Sequence, residues 1–160
     1  MSKPIFVLNG PNLNLLGQRE PDLYGTETLS DIHHSLETLA GELGLAVDFR
    51  QSNHEGELID WLHEARNGAS AVIINAGGYT HTSISLRDAV AALRIPIIEV
   101  HLSNIYARES FRRKSYLSEV VQGTIAGLGA QGYSLALQAA ASLARASTPD
   151  SLKRMSIASS

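Results

Sequence analysis

Ile5-Phe6-Val7-Leu8-Asn9-Gly10-Pro11-Asn12 is a short apolar run that breaks abruptly into polar residues, and the chain repeats this arrangement twice. Ala71 to Ile74 leads into Asn75-Ala76-Gly77-Gly78, and Ile97 to Val100 leads into His101-Leu102-Ser103-Asn104. Short continuous apolar runs are the signature of strands buried on both faces, as in a parallel sheet covered by helices. In an open α/β sheet, ligands bind outside the carboxyl ends of the strands, where all three polar clusters fall.

Helical patterns separate these runs. Leu29, Ile32, Leu36, Leu39 and Leu43 recur at helical spacing, opened by Thr28 with Asp31 three residues on and closed by Gly44. Leu45 to Phe49 reads as a second strand, and Leu58, Trp61, Leu62 and Ala65 mark a helix ending near Asn67-Gly68. A further helix is expected over Ser85 to Leu93, stopped before Pro96. Val120 to Leu128 reads as a fifth strand, and Tyr133, Leu137, Ala140 and Leu143 line one face of a last helix. Ser147 to Ser160 is polar and small, and reads as a disordered tail.

Five strands alternating with helices through right-handed crossovers give a doubly wound parallel α/β sheet, and at this size the flavodoxin-like order 2-1-3-4-5 is expected. Strands one, three and four are neighbours in that order, so the three polar clusters converge on one cleft. The 160-residue length suits one catalytic domain over residues 1–146 with a tail over 147–160.

Composition narrows the partners. With 44% hydrophobic residues, 18% charged residues and a formal charge of -3, the chain reads as globular, with no nucleic-acid or membrane partner. The absence of cysteine excludes disulfides, thiolate metal ligands and a cysteine nucleophile. No apolar stretch is long enough for a signal peptide or a membrane span, so the expectation is a soluble, unprocessed protein, compatible with the cytoplasm.

Several chemistries are disfavoured by motif. The loop Asn9 to Gly17 fits neither a Walker nor a dinucleotide phosphate cradle. Of six histidines only His33 and His34 are close in sequence, and mid-helix neighbours point in different directions, so no metal is expected. The three lysines, Lys3, Lys114 and Lys153, offer no good imine nucleophile. A flavin-binding or non-catalytic ligand-binding domain is the alternative reading, although flavin mononucleotide would need a phosphate loop after the first strand.

Acid–base chemistry by tyrosine, histidine and arginine remains. Gly17 and Gly25 bracket a segment that reads as a hinged lid carrying Arg19 and Tyr24. A tyrosine is a poor base near neutrality, with an ordinary pKa of about 10, but a nearby guanidinium favours the phenolate. The same spacing also fits an exposed loop with Tyr24 resting on the core.

Three segments carry a specific resemblance: LNGPNLNLLGQREPDLY over residues 8–24, NAGGYTHTS over 75–83 and EVHLSNIYARESFRR over 99–113. Together they resemble type II 3-dehydroquinate dehydratase, in the right order and at the ends of strands one, three and four. The resemblance covers roughly residues 5 to 145, leaving the tail outside it and no expectation for Gln18.

That resemblance implies a cofactor-free, metal-free trans elimination of water from 3-dehydroquinate to 3-dehydroshikimate through an enolate, in the shikimate pathway. It implies Tyr24 as proton acceptor, Arg19 as transition-state stabiliser, Asn12 as a holder of the enolate oxygen and His101 as proton donor. Glu99, two residues earlier on the same strand face, would orient and charge the His101 ring, although Glu99-x-His101 alone also reads as a satisfied strand-end pair. Asn75, His81, Asp88, Leu102, Ser103 and Arg112 match the substrate-binding residues. Asp88 matches a position near a neighbouring subunit's site, and Ser85-x-x-Asp88 also reads as a capping box. Arg108 and Arg113 are expected in ion pairs, and His54 and His63 on the surface. The family assembles as a dodecamer of trimers, so the same homo-oligomer is implied here.

Overall fold

Ile5–Asn9 (β1) pairs in parallel with Val47–Gln51 (β2) on one side and Ala71–Asn75 (β3) on the other, in the register Ile5 to Val47 and Ile5 to Ala71. Ile97–His101 (β4) continues the sheet beyond β3, and Gly123–Ala126 (β5) closes it. The order is β2-β1-β3-β4-β5, the doubly wound topology expected. The computed structural model describes residues 2–18 and 20–146, with Leu23 and Tyr24 described by backbone alone. The tail from Ser147 to Ser160 lies outside the described residues.

Alternation along the strands builds two cores. After the short helix Pro21–Tyr24 (α1), Leu29–Glu42 (α2) and, later in the chain, Gln131–Ala146 (α5) make the layer that Ile5, Val7, Ile73, Ile98 and Val100 face. Phe6, Leu8, Val72, Ile74 and Ile97 face Glu55–Gly68 (α3) and Ile84–Ala91 (α4). Helices on both faces leave β1, β3 and β4 fully buried, which is why they read as continuous apolar runs.

Local chemistry sets the helix starts. Thr28 and Asp31 form a reciprocal capping box at α2: the Thr28 hydroxyl accepts from Asp31 N, and the Asp31 carboxylate accepts from Thr28 N. At α4 the cap is Ser83, whose hydroxyl accepts from Leu86 N at 2.9 Å. The expected Ser85-x-x-Asp88 box does not form, because the extended backbone at Ser83 starts the helix two residues earlier and leaves Asp88 beside Arg87 at 3.6 Å.

Three other boundaries differ from the sequence reading. β2 begins at Val47, because Leu45 is still tied to the end of α2 through its N–H to Ala40 O. α4 stops at Ala91, before the expected Leu93, with Ala92 as its cap. β5 covers only Gly123 to Ala126: Ser118–Val120 forms a 3₁₀ turn instead, with Val120 and Val121 packed against the α3/α4 core, and left-handed Gly127 and Gly129 end the strand. The segment from Gly17 to Gly25 also contains the unforeseen helix α1, bracketed by glycines at φ 89° and 85°.

Candidate active site

The carboxyl ends of β1, β3 and β4 open into one cavity. Asn12, Asn75, His81, His101, Leu102, Ser103 and Arg112 line it, together with apolar Leu13, Leu16 and Ile105. Seven of the eleven residues proposed from the sequence therefore share this cleft.

β1 and β3 approach closely at its floor. Gly10 N donates to Asn75 O at 2.8 Å, and a Cβ at Gly10 would lie 2.5 Å from Ala76 O, so only glycine allows this contact. Asn12 follows in the left-handed region at φ 68°, its N–H bound to Asn53 Oδ1 at 3.0 Å. Asparagine tolerates that conformation better than most residues.

Asn75 ends β3 almost fully buried. Its Nδ2 donates to Tyr133 OH at 2.9 Å and its Oδ1 accepts from Gly77 N at 3.2 Å. Tyr133 in turn donates to Asn9 Oδ1 at 2.7 Å, and Asn9 Nδ2 donates to Arg50 O. Burial pushes the Tyr133 phenol far above its ordinary range, against a smaller opposing effect of the Asn75 hydrogen bond, so it acts as a neutral bridge.

β4 delivers the acid–base pair. Glu99 and His101 alternate on one face of the strand, and His101 Nε2 lies 2.5 Å from Glu99 Oε2. Glu99 is fully buried and also accepts from Ser115 Oγ at 2.7 Å, Ser118 Oγ at 2.8 Å and Thr124 Oγ1 at 3.3 Å. Burial alone would push this carboxyl up; the hydrogen bonds from His101, Ser115 and Ser118 and the His101 charge outweigh it and hold Glu99 below the usual carboxylate range. His101 Nδ1 has no hydrogen-bond partner among the described residues, and the ring lines the cavity.

His81 presents a second imidazole, 6.4 Å from the His101 ring between centroids. Its Nδ1 lies 2.8 Å from Lys114 O, and a carbonyl only accepts, so Nδ1 carries the proton. Burial lowers its pKa, and the charges of His101 and Arg112 add to that, while the Lys114 hydrogen bond and Glu99 oppose them. A neutral His81 leaves Nε2 as an acceptor. Arg112 also lines the cavity, its Nε bound to Glu109 at 2.5 Å.

Not every proposed residue reaches this cleft. Arg19 and the Tyr24 side chain lie outside the described residues, although α1 places the Tyr24 backbone next to Gly25. Asp88 has an exposed side chain on α4 and does not line the cavity. Arg108 does line the cavity, reaching Glu109 at 4.0 Å and Ser103 Oγ at 3.4 Å, while Arg113 has no ion pair among the described residues. Ser115, Ser118 and Thr124, absent from the sequence reading, surround Glu99 from 16 to 25 residues away. Their only sequence signal is the spacing Ser115-x-x-Ser118 just beyond the third motif. Among the described residues, no group of three or more His, Asp and Glu side chains is placed to hold a metal ion, and no helix is long and apolar enough to cross a membrane.

The fold and cleft define a small doubly wound α/β protein with a carboxylate-backed histidine opening into a donor-rich pocket. The description Dehydroquinase class II matches residues 3–141, and the chain belongs to that family. It is similar to the 3-dehydroquinate dehydratase of Phenylobacterium zucineum, 57% identical over 145 residues, which covers 91% of this chain and 100% of the relative. The enzyme of the same name from Caulobacter vibrioides is 58% identical over 146 residues, at the same two coverages. The crystal structure of type II dehydroquinase from Propionibacterium acnes superposes with a TM-score of 0.85 at 49% identity, covering 89% of this chain and 98% of that one.

Proposed function

We propose that the chain is a 3-dehydroquinate dehydratase that eliminates water from 3-dehydroquinate through an enolate, giving 3-dehydroshikimate. One observation carries the reading beyond family membership: the buried Glu99–His101 pair opens into a cleft lined by amide, hydroxyl, imidazole and guanidinium groups. A polyhydroxylated anion needs many donors and few apolar contacts.

In the proposed mechanism the Tyr24 phenolate removes a proton from the carbon next to the ketone, with Arg19 favouring the ionised phenol. The carbon–hydrogen electron pair moves into the carbonyl, giving an enolate whose oxygen is held near Asn12, through water. When the enolate collapses, the carbon–oxygen bond to the tertiary hydroxyl breaks, and His101 supplies the proton that lets it leave as water. Glu99 holds the ring in place for that transfer. Asn75, neutral His81, the Leu102 and Ser103 main chain and hydroxyl, and Arg112 position the substrate.

The proposal extends to assembly as a dodecamer of trimers, with Asp88 near a neighbouring subunit's cleft. Tyr106 and Phe111, 55% and 64% exposed beside the Arg112 wall, support it as surfaces a second copy would cover. The cytoplasmic setting and the single catalytic domain over residues 1–146 belong to the same proposal.

The test follows the absorbance of the conjugated enone with 3-dehydroquinate, for wild type, Tyr24→Phe and His101→Ala, with and without borohydride. Borohydride-resistant turnover that falls about 10²–10⁴-fold in each variant supports the reading. No enone from wild type overturns it.

A further inference from the structure

The four hydrogen bonds on Glu99 fix more than its position. Ser115 Oγ accepts from Leu117 N and from Ser118 N, both at 3.1 Å. A hydroxyl has two acceptor lone pairs and one proton, so with both lone pairs occupied the Ser115 proton is committed to Glu99 Oε2, 2.7 Å away. Oε2 therefore receives Ser115 and His101, while Oε1 receives Ser118 at 2.8 Å and Thr124 at 3.3 Å.

With Ser115, Ser118 and Thr124 all donating to it, the Glu99 carboxylate has one place left for a proton of its own, the Oε2 lone pair that faces His101. A proton on Oε2 would have to point at a bare His101 Nε2, and Ser115 cannot reverse to accept without abandoning two backbone N–H groups. Three hydroxyl donors stabilise the carboxylate in its charged form, and so draw the proton shared between Glu99 and His101 toward nitrogen.

Resting on the acid role assigned to His101 above, we propose that Ser115, Ser118 and Thr124 are positioning residues for that acid. Their hydroxyls hold Glu99 as an anion, which keeps the shared proton on His101 Nε2 and leaves the cleft-facing Nδ1 able to carry and deliver the second. Weakening them lets the proton slide to Glu99, and the ring becomes a neutral, weaker acid. The ionisable groups around the pair are His101 itself, His81 across the cleft, and Arg108 and Arg112, which line the same cavity. None of these replaces a missing hydroxyl donor to Glu99.

Ser118→Ala is the main probe, since Ser115→Ala would also strip a cap from two backbone N–H groups. Ser118→Thr restores the hydroxyl, and Thr124→Val gives an isosteric second probe on β5. Two quantities are measured: kcat and KM for 3-dehydroquinate, and the ¹⁵N chemical shift of His101 Nε2 in the free enzyme. The expected result for Ser118→Ala is a fall of about tenfold in kcat, with KM within about twofold. The Nε2 signal moves toward that of unprotonated nitrogen, and both effects are reversed in Ser118→Thr. An unchanged Nε2 signal overturns the proposal, as does an unchanged kcat in an active enzyme. Should wild type fail to convert 3-dehydroquinate, the functional reading falls, while the nitrogen signal still decides whether the hydroxyls place the proton. Should Ser118→Ala fail to fold, Thr124→Val decides by the same two readouts, with smaller effects expected from its longer bond.

Discussion

The imidazoles of His81 and His101 lie 6.4 Å apart and within 24° of parallel, yet they answer to opposite partners. His81 donates to the Lys114 carbonyl, whereas His101 meets the Glu99 carboxylate. One ring is kept neutral by burial, against the opposing pull of its carbonyl bond, while the other faces an anion that four donors stabilise.

The His81 environment predicts a pH signature. Burial lowers its folded-state pKa, so the unfolded chain takes up the proton more readily than the native protein. The stability contributed by neutral His81 is complete above about pH 6.5 and is lost as pH falls through the lower folded value. Thermal midpoints measured between about pH 7 and 5 should therefore fall more steeply for wild type than for His81→Asn. Parallel profiles would show that His81 titrates as it does in the unfolded chain.

Glu99 follows the same logic one step lower on the pH scale. Its carboxyl is held below the usual range, so its contribution is complete above the ordinary glutamate value of about 4.3 and disappears as pH falls through the folded value. Glu99→Gln turns one acceptor oxygen into a donor facing existing donors, and should cost about 3–5 kcal/mol at neutral pH. Its unfolding free energy should also fall less steeply than that of wild type below about pH 4, the remaining slope belonging to other lowered carboxyls such as Asp31 and Asp48. A variant as stable as wild type at pH 7 would contradict the buried-anion picture.

The features legible in sequence were those repeating locally. β1, β3 and β4 stood out because burial on both faces makes every residue apolar, and their polar ends followed from strand position alone. β5 is shorter than its sequence suggests because Val120 and Val121, which look like strand residues, serve the α3/α4 core from outside the strand. The partners of Glu99 were invisible for a different reason. A hydrogen bond from Thr124, 25 residues away, exists only once β4 and β5 pair. The bond from Tyr133 to Asn9 spans 124 positions and leaves no periodic trace.

That long-range bond makes Tyr133 a test of how the core supports the site. Tyr133→Phe keeps the ring packed but orphans Asn9 Oδ1 and one Asn75 N–H, both buried. The expected loss is about 1–3 kcal/mol in denaturant unfolding. Because Asn75 also lines the cleft, KM for 3-dehydroquinate should rise several-fold while kcat changes less. A stability loss with unchanged KM would confine the network to structure.

Gly10 offers the most direct test of the cleft's floor. A methyl group there would sit 2.5 Å from Ala76 O and 2.6 Å from Ala76 C, both backbone atoms that cannot swing aside. Gly10→Ala must therefore push apart the β1 and β3 loops, which carry Asn12 and Asn75. The expected cost is about 1–3 kcal/mol, with a lower denaturant midpoint at unchanged m-value and a fall in kcat/KM. Gly56 on α3 provides the contrast, because a Cβ there meets nothing within 4 Å. Gly56→Ala should be neutral or stabilising by up to about 1 kcal/mol, with kcat/KM unchanged. If both substitutions behaved alike, the close approach at Gly10 would have no role in shaping the cleft.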